Sequence, residues 1–456
     1  MHPVTAAQAE IPSPDVPPAG PPPGQPYSAG YVRYALVTLM LVYMLNFLDR
    51  QIVNILAEPI KREFRLHDWQ LGVMTGLAFA IFYATLGLPI ARLAERANRV
   101  WIIGAAITVW SGCTALCGLA GSYLQLLVAR IGVGVGEAGC SPPAHSLISD
   151  YVPKAKRASS LAFYQLGGPA GTLLGTILGG VVASAFGWRA AFLLVGLPGL
   201  ILAVVTVLTL REPRRLAARQ RAQAGPAPTF LDAMRLLRRK PTFWLVCLAS
   251  GTNGAVGYGQ GAFIASFFLR NHNVELTSLA AELGLKPFGL LAIAIGVCSG
   301  IGGLLGTYGG GLVTDWAARR SPQGYVVVPA ISSLMFVPLS VLLVLTPSFQ
   351  LALGVFFVQM VVNAVWPGPL YAVCQSVVPP NTRATSSAIQ MFMGNMIGLT
   401  LGPLIMGLLS DLYAEGLGMG SAQGLRYAML SFYGVGLGGA ALFWAARRHI
   451  ARDLES

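Results

Sequence analysis

Charge is what this sequence has little of. Asp, Glu, Lys and Arg make up 11% of its 456 residues, and the acids number only 18. A soluble domain draws about a quarter of its residues from these four types, so the chain cannot cover a water-facing surface. Cysteine is sparse and scattered: Cys113, Cys117, Cys140, Cys247, Cys298 and Cys374 all fall inside apolar stretches, with no C-x-x-C pair. They read as small hydrophobes, not as disulfides or metal ligands. Apolar runs that alternate with polar residues are missing too, which removes a β-barrel. Disorder, collagen, a secreted disulfide scaffold and a cytosolic enzyme are all excluded.

What the chain does have is apolar length. Hydrophobic residues reach 54%, mean hydropathy is +0.62 and glycine numbers 54. A membrane span needs about 20 apolar residues, and only helices and closed barrels satisfy their backbone in lipid. The fold class is therefore all-α, a polytopic membrane protein. Nine prolines within residues 1–30 mark a disordered tail, neither a signal peptide nor a span. Twelve apolar runs follow, near 32–57, 70–91, 100–121, 123–151, 158–183, 188–210, 243–268, 287–313, 325–346, 349–377, 385–410 and 425–446. The basic segment 211–242 divides them into six-helix bundles over 31–210 and 243–446, and 447–456 forms a second tail.

The net charge of +13 maps onto membrane sides. With the N-terminus inside, 22 of the 31 Lys and Arg residues fall at the cytoplasmic side and seven at the opposite side. That asymmetry places both termini in the cytoplasm. The charge is a topology signal, and no nucleic-acid partner is expected.

The two halves repeat each other. Leu93-Ala-Glu95-Arg96-Ala-Asn-Arg99 after span 2 corresponds to Val313-Thr-Asp315-Trp-Ala-Ala-Arg319 after span 8. Pro153 to Ser160, with Arg157, matches Pro379 to Ser387, with Arg383, before spans 5 and 11. Gly187-Trp-Arg189 opens span 6 as Gly424-Leu-Arg426 opens span 12. Such a repeat is the mark of a transporter built from two parallel six-helix halves.

On these residues the chain resembles the major facilitator superfamily from about Tyr31 to Arg448, with an acid-Arg-x-x-Arg segment in the first half and its counterpart Asp315-x3-Arg319 in the second. Glu95 departs from the superfamily's usual Asp, and Ala91 from its common Gly. The resemblance narrows to Spinster-like transporters. It is carried by Asn46-Phe-Leu-Asp49-Arg50 in span 1, and by Arg130-x3-Gly134-x-Gly136-Glu137-Ala138 with Ser141-Pro142 in span 4. Leu147-Ile-Ser-Asp150 and Gly167-Gly-Pro-x-Gly171 continue it. It implies the major facilitator fold, with twelve transmembrane helices in two six-helix pseudo-repeats, in a bacterial inner membrane.

Charges inside a bilayer cost about 2.5–3.5 kcal/mol each on insertion scales, and four stand inside spans: Asp49, Arg50, Arg130 and Glu137. At 1.5 Å per residue Asp49 lies about 25 Å from the cytoplasmic end of span 1, and Arg130 roughly 10 Å from the outer end of span 4. Glu137 sits two turns deeper on the same face as Arg130. A buried ion-pair network that only orients two helices is one reading. The other makes Glu137, with Asp49 second, the proton carrier, and Arg50 and Arg130 the switching or substrate-binding partners, because guanidinium stays charged and grips carboxylate or phosphate bidentately. The resemblance agrees with proton coupling at these positions. No cofactor is expected beyond protons as the coupling ion.

By resemblance, spans 1, 4, 7 and 10 line the cavity, with Asn46, Gln165, Asn253, Tyr258, Gln260, Asn363, Trp366 and Tyr371 as its lining; for each, a helix–helix hydrogen bond is an equal reading. Glycines 251, 254, 257, 259 and 261 in span 7, Pro142-Pro143 in span 4 and Trp366-Pro-Gly-Pro369 in span 10 suggest broken or moving segments. Glu95, Arg96, Arg99, Asp315, Arg319, Arg157 and Arg383 form the expected cytoplasmic gate. By resemblance, Glu95 meets the start of span 11 and Asp315 the start of span 5.

The expectation is a proton-coupled, alternating-access transporter, a monomer whose partners are the bilayer and an amphiphilic or anionic small molecule. Lipid transport, of a lysophospholipid or sphingoid compound, rests on the resemblance alone. An organic-anion/proton symporter, which shares Asn-x-x-Asp-Arg, is the alternative, and a transport-inactive receptor stands behind it. His145-x4-Asp150 has an acyltransferase-like spacing, but Asp150 is better explained as an anchor at the end of span 4, so no enzyme is expected.

Overall fold

The computed structural model describes residues 27–153, 156–213, 230–379 and 382–455, so residues 1–26 of the expected tail and 214–229 of the expected linker lie outside the described set. No strand occurs among the described residues. Ten of the helices are long and apolar enough to cross a membrane. Two further long helical runs, 123–151 and 241–271, are more polar, carrying Arg130, Glu137 and Asp150 in one and Asn253, Tyr258 and Gln260 in the other.

In chain order the spans are Ala29–Phe64 (span 1), Asp68–Gly72 continuing through a π-helical turn into Ala78–Arg96 (span 2), and Arg99–Leu119 (span 3). Tyr123–Glu137 with Ser141–Tyr151 (span 4), Arg157–Gln165 with Gly167–Phe186 (span 5) and Trp188–Thr209 (span 6) complete the first half. Pro241–Asn271 (span 7), Pro287–Arg320 (span 8) and Gly324–Leu345 (span 9) open the second. Phe349–Asn363 with Pro367–Ser376 (span 10), Arg383 to Gly416 with two π-helical turns (span 11), and Gly420–Tyr433 with Val435–Ala446 (span 12) close it. Short helices follow outside: Phe230–Arg238 before span 7, Asn273–Glu282 after it, and Ile450–Glu455 at the end.

Small residues set the packing, because lipid offers no hydrophobic drive between helices. The glycine row of span 5 seats span 1. A Cβ on Gly167 would stand 2.6 Å from the Met40 carbonyl, and one on Gly175 2.8 Å from the Leu48 Cα. Span 1 is therefore pressed against span 5 along the stretch that carries Asn46 to Arg50. Span 5 also packs on span 8, and span 2 on span 11, which joins the halves.

Two breaks fall where proline predicts them. Span 4 turns at Ala138 to Cys140 before Pro142 and Pro143, so Glu137 closes its first segment. Span 10 turns at Ala364 to Trp366 before Pro367. Span 7 runs unbroken from Pro241 to Asn271 despite its five glycines. Three of these, Gly251, Gly254 and Gly259, face Ile397, Gly398 and Gly402 of span 11. They permit close approach and leave the helix whole. In the first acid-Arg segment Glu95 and Arg96 end span 2 and Arg99 opens span 3, across a bend at Ala97 and Asn98. The second, Asp315 to Arg319, lies wholly in the last turns of span 8.

Candidate functional site

Span 1 and span 4 bring their four charges together. Arg50 Nε donates to Glu137 Oε2 at 2.7 Å, with Glu137 fully buried and the Arg50 side chain 14% exposed. Asp49 and Arg130 are each 1% exposed beside this pair. Asp49 has Thr114, Arg130 and Glu137 as polar neighbours. The cluster is not saturated. Asp49 Oδ1, Glu137 Oε1, Asn46 Nδ2 and the Nε and Nη1 of Arg130 are buried with no hydrogen-bond partner. A desolvated charge without a partner is costly.

An aromatic cage surrounds the guanidiniums. Arg50 Cζ stands 5.3 Å from the Phe47 ring centre, 4.9 Å from Phe79 and 4.5 Å from Tyr83. The same Phe79 ring lies 5.5 Å from Arg130 Cζ. One buried phenyl on span 2 thus touches both arginines. Nothing in the sequence singled it out, since a phenylalanine in an apolar run carries no charge or spacing signal. Tyr258 of span 7 faces the Arg50 guanidinium from the second half, and Tyr371 of span 10 lies near Tyr258 and Tyr83.

The other expected lining residues divide. Asn363 and Trp366 are half-buried, and Tyr258, Tyr371 and Gln165 are exposed. Asn253 donates to Ser333 Oγ at 2.6 Å. Gln260 and Gln359 exchange hydrogen bonds at 2.7 and 3.0 Å, and Gln359 also reaches Ser340. For Asn253 and Gln260 the helix–helix reading therefore describes the geometry, although both border small cavities that meet at Asn363. Gln51, Asn54 and Thr176 line the first of these cavities from the other half.

At the end opposite the termini the halves are clamped. Arg270, at the end of span 7, reaches Glu58 Oε2 at 2.7 Å and both Asp68 oxygens at 2.8 Å. Lys61 Nζ at 2.6 Å and Ser410 Oγ at 2.6 Å complete the Asp68 carboxylate. Asp411 accepts the backbone N–H groups of Asp68 at 2.9 Å and Trp69 at 2.7 Å, capping span 2 from the other half. Arg270, Glu58 and Asp68 are 5%, 6% and 1% exposed, so these pairs are desolvated. Lys61 and Arg270 are two of the seven basic residues at this side.

Among the described residues, the expected gate at the opposite face does not join the halves. Asp315 and Arg319 are exposed, so Asp315 is not docked on the start of span 5. Arg157 donates to the Ser149 carbonyl and Arg383 to the Gln375 carbonyl, each within its own half. The side chains of Glu95 and Arg96 lie outside the described set. Arg99 binds Asp150 at 2.6 Å, Ser146 at 2.7 Å and Glu212, again within one half. Asp150 is thereby the anchor of span 4. The His145 ring packs edge-on against Tyr164 at 5.2 Å. One end is thus clamped across the halves, while at the other Arg99, Arg157 and Arg383 pair within their own halves.

A sequence model described as Major Facilitator Superfamily matches residues 39–403. The chain belongs to that superfamily. It is 31% identical, over 92% of its length and 94% of the relative's, to an MFS-type efflux pump of Mycolicibacterium smegmatis. It is 26% identical to protein spinster homolog 1 of Xenopus laevis, over 93% and 82% of the two chains. Among solved structures it matches a bacterial homologue of the human lysosomal transporter Spinster in an inward-facing, unoccupied conformation. There the TM-score is 0.81 at 31% identity, covering 94% of this chain and 99% of that one. The chain is thus a Spinster-like, multi-pass membrane transporter of the superfamily with a small-molecule substrate.

Proposed function

We propose that this transporter is proton-coupled and works by alternating access in a bacterial plasma membrane, with both termini in the cytoplasm. Its substrate is an amphiphilic or anionic small molecule, and its clamped end faces away from the cytoplasm. The observation that carries the reading is the Arg50–Glu137 contact of 2.7 Å, set beside Asp49 and Arg130 atoms that have no partner. Protonating Glu137 would dissolve its attraction for Arg50. The freed guanidinium would then hold a carboxylate or phosphate bidentately, and loss of the proton would restore the pair and expel the anion. Charge in the centre is thereby conserved through the cycle, and each step exchanges one partner of an arginine for another. The aromatic cage around Arg50 suits an amphiphile whose head meets the guanidinium and whose body lies against rings. By resemblance, lysophospholipids and sphingoid phosphates are the first candidates.

Proteoliposomes with an imposed pH gradient test this. Flux of a lysophospholipid, a sphingoid phosphate or an organic acid should follow the gradient, and Glu137→Gln should uncouple it. Flux indifferent to the gradient, with Glu137→Gln unchanged in rate and pH profile, overturns the coupling. A compact organic acid transported in preference to lipids would select the organic-anion reading. That reading draws on the same Arg130 nitrogens.

A further inference from the structure

Around the rim of the clamped end three metal-ligating side chains converge, of which only Asp411 has a part in the clamp. His67 precedes the first turn of span 2. Asp411 and Glu415 come from span 11, at its last α-helical residue and within the π-helical turn Leu412–Gly416. His67 Nδ1 stands 3.0 Å from Glu415 Oε1, and one ligand atom from each of the three residues lies within 4.8 Å of the others. Zinc bound at about 2.0–2.2 Å holds its ligand atoms roughly 3.4 Å apart in tetrahedral geometry. The three groups therefore need move by only about an ångström to share one ion.

We propose that these residues form a divalent transition-metal site, of the zinc type, that bridges the two halves and holds this end of the transporter closed. One ligand belongs to the first half and two to the second, so the site exists only while spans 2 and 11 are in contact. A ligand that binds one conformation shifts the population toward it. The ion would act as an inhibitor from the outside.

The chemistry of the set favours this class of ion. One imidazole and two carboxylates suit zinc, nickel or cobalt better than calcium or magnesium, which take oxygen ligands. Asp411 is already oriented by the backbone N–H groups of Asp68 and Trp69. A carboxylate has about four lone-pair sites, so it retains acceptors for a metal, and second-shell donors of this kind fix a ligand's direction. The His67 and Glu415 side chains are 52% and 64% exposed, which leaves an open approach from water and room for solvent ligands. Two carboxylates and a neutral imidazole carry a charge that a divalent ion cancels. Deeper in, Lys61 and Arg270 are already committed to Asp68 and Glu58.

The test uses the full chain, purified without a histidine tag, titrated calorimetrically with zinc chloride. Micromolar binding is expected, with His67→Ala and Glu415→Gln each weakening it at least tenfold. In proteoliposomes, zinc on the outer side should inhibit wild-type flux and spare both variants, whose flux without metal stays near wild type. Two substitutions in different halves guard against a folding defect in either. Zinc binding by both variants as tight as wild type overturns the site. Binding that depends on His67 and Glu415 but leaves flux untouched overturns the closure.

Discussion

The two halves share one topology and hold their polar groups in opposite ways. In the first half the centre is ionic: Asp49, Arg50, Arg130 and Glu137 are buried together, with one close pair and several atoms unsatisfied. In the second half the corresponding spans 7, 9 and 10 carry amides and hydroxyls, Asn253 with Ser333 and Gln260 with Gln359 and Ser340, joined by complete hydrogen bonds. A neutral network that closes on itself rigidifies its helices. An ionic one left open can respond to a proton or an anion. On the proposed reading, energy conversion belongs to the first half and the second is a frame against which it moves.

The harshest way to break that comparison is to neutralise the ionic centre. Glu137→Gln leaves Arg50 desolvated without its counterion, a loss of about 3–5 kcal/mol when one member of a buried pair is removed. Gradient-driven flux should fall to the level of protein-free liposomes, with a marked fall in Tm. If flux persisted with its pH dependence intact, the first half would have no claim to the coupling.

Next in size is the clamp that ties the halves together. Arg270→Gln takes the nearest cation from Glu58 and leaves Asp68 with Lys61 and Ser410, a cost of up to about 3–5 kcal/mol. Here the closed arrangement alone bears the cost, because water can reach the carboxylates once that end opens. The population should move toward the opposite-facing state. A cysteine placed at Ile264, beside the cavity, in a background lacking the six native cysteines, should become reactive to an impermeant maleimide from the clamped side. Unchanged labelling would mean that the clamp does not set the conformation.

A milder change keeps every charge and alters only what surrounds them. Phe79→Leu removes ring contacts to both Arg50 and Arg130, and a cation–π contact contributes about 0.5–2 kcal/mol. Flux should drop about tenfold, with a shifted pH profile, and Phe79→Trp should restore much of it. A Leu variant with normal rate and profile would reduce Phe79 to packing.

Phe79 also marks the limit of what could be read from the chain. The apolar runs, the charge asymmetry and the four intramembrane charges were legible because each is improbable in lipid unless it has a cause. The span 4 and span 10 breaks were legible because proline cannot continue a helix. The clamp was not, because Arg270 lies 202 and 212 residues from its partners Asp68 and Glu58, and a terminal charge needs no explanation. Span 7's glycines misled for a related reason. Glycine signals close approach as readily as a break, and only the neighbour, here Gly398 and Gly402 of span 11, decides between them. Arg99 looked like a gate residue from its motif, yet Asp150 and Glu212 hold it within one half.

The smallest effect should come from the neutral frame. Ser333→Ala removes the acceptor that Asn253 Nδ2 reaches at 2.6 Å. Asn253 is 7% exposed, so the stranded amide should cost about 1–3 kcal/mol, seen as a modest fall in Tm. Since the group never ionises, the ratio of flux with and without the pH gradient should match that of the wild type. Loss of coupling in Ser333→Ala would carry the proton route into the second half. The division between an ionic converter and a neutral frame would then fail at its weakest hydrogen bond.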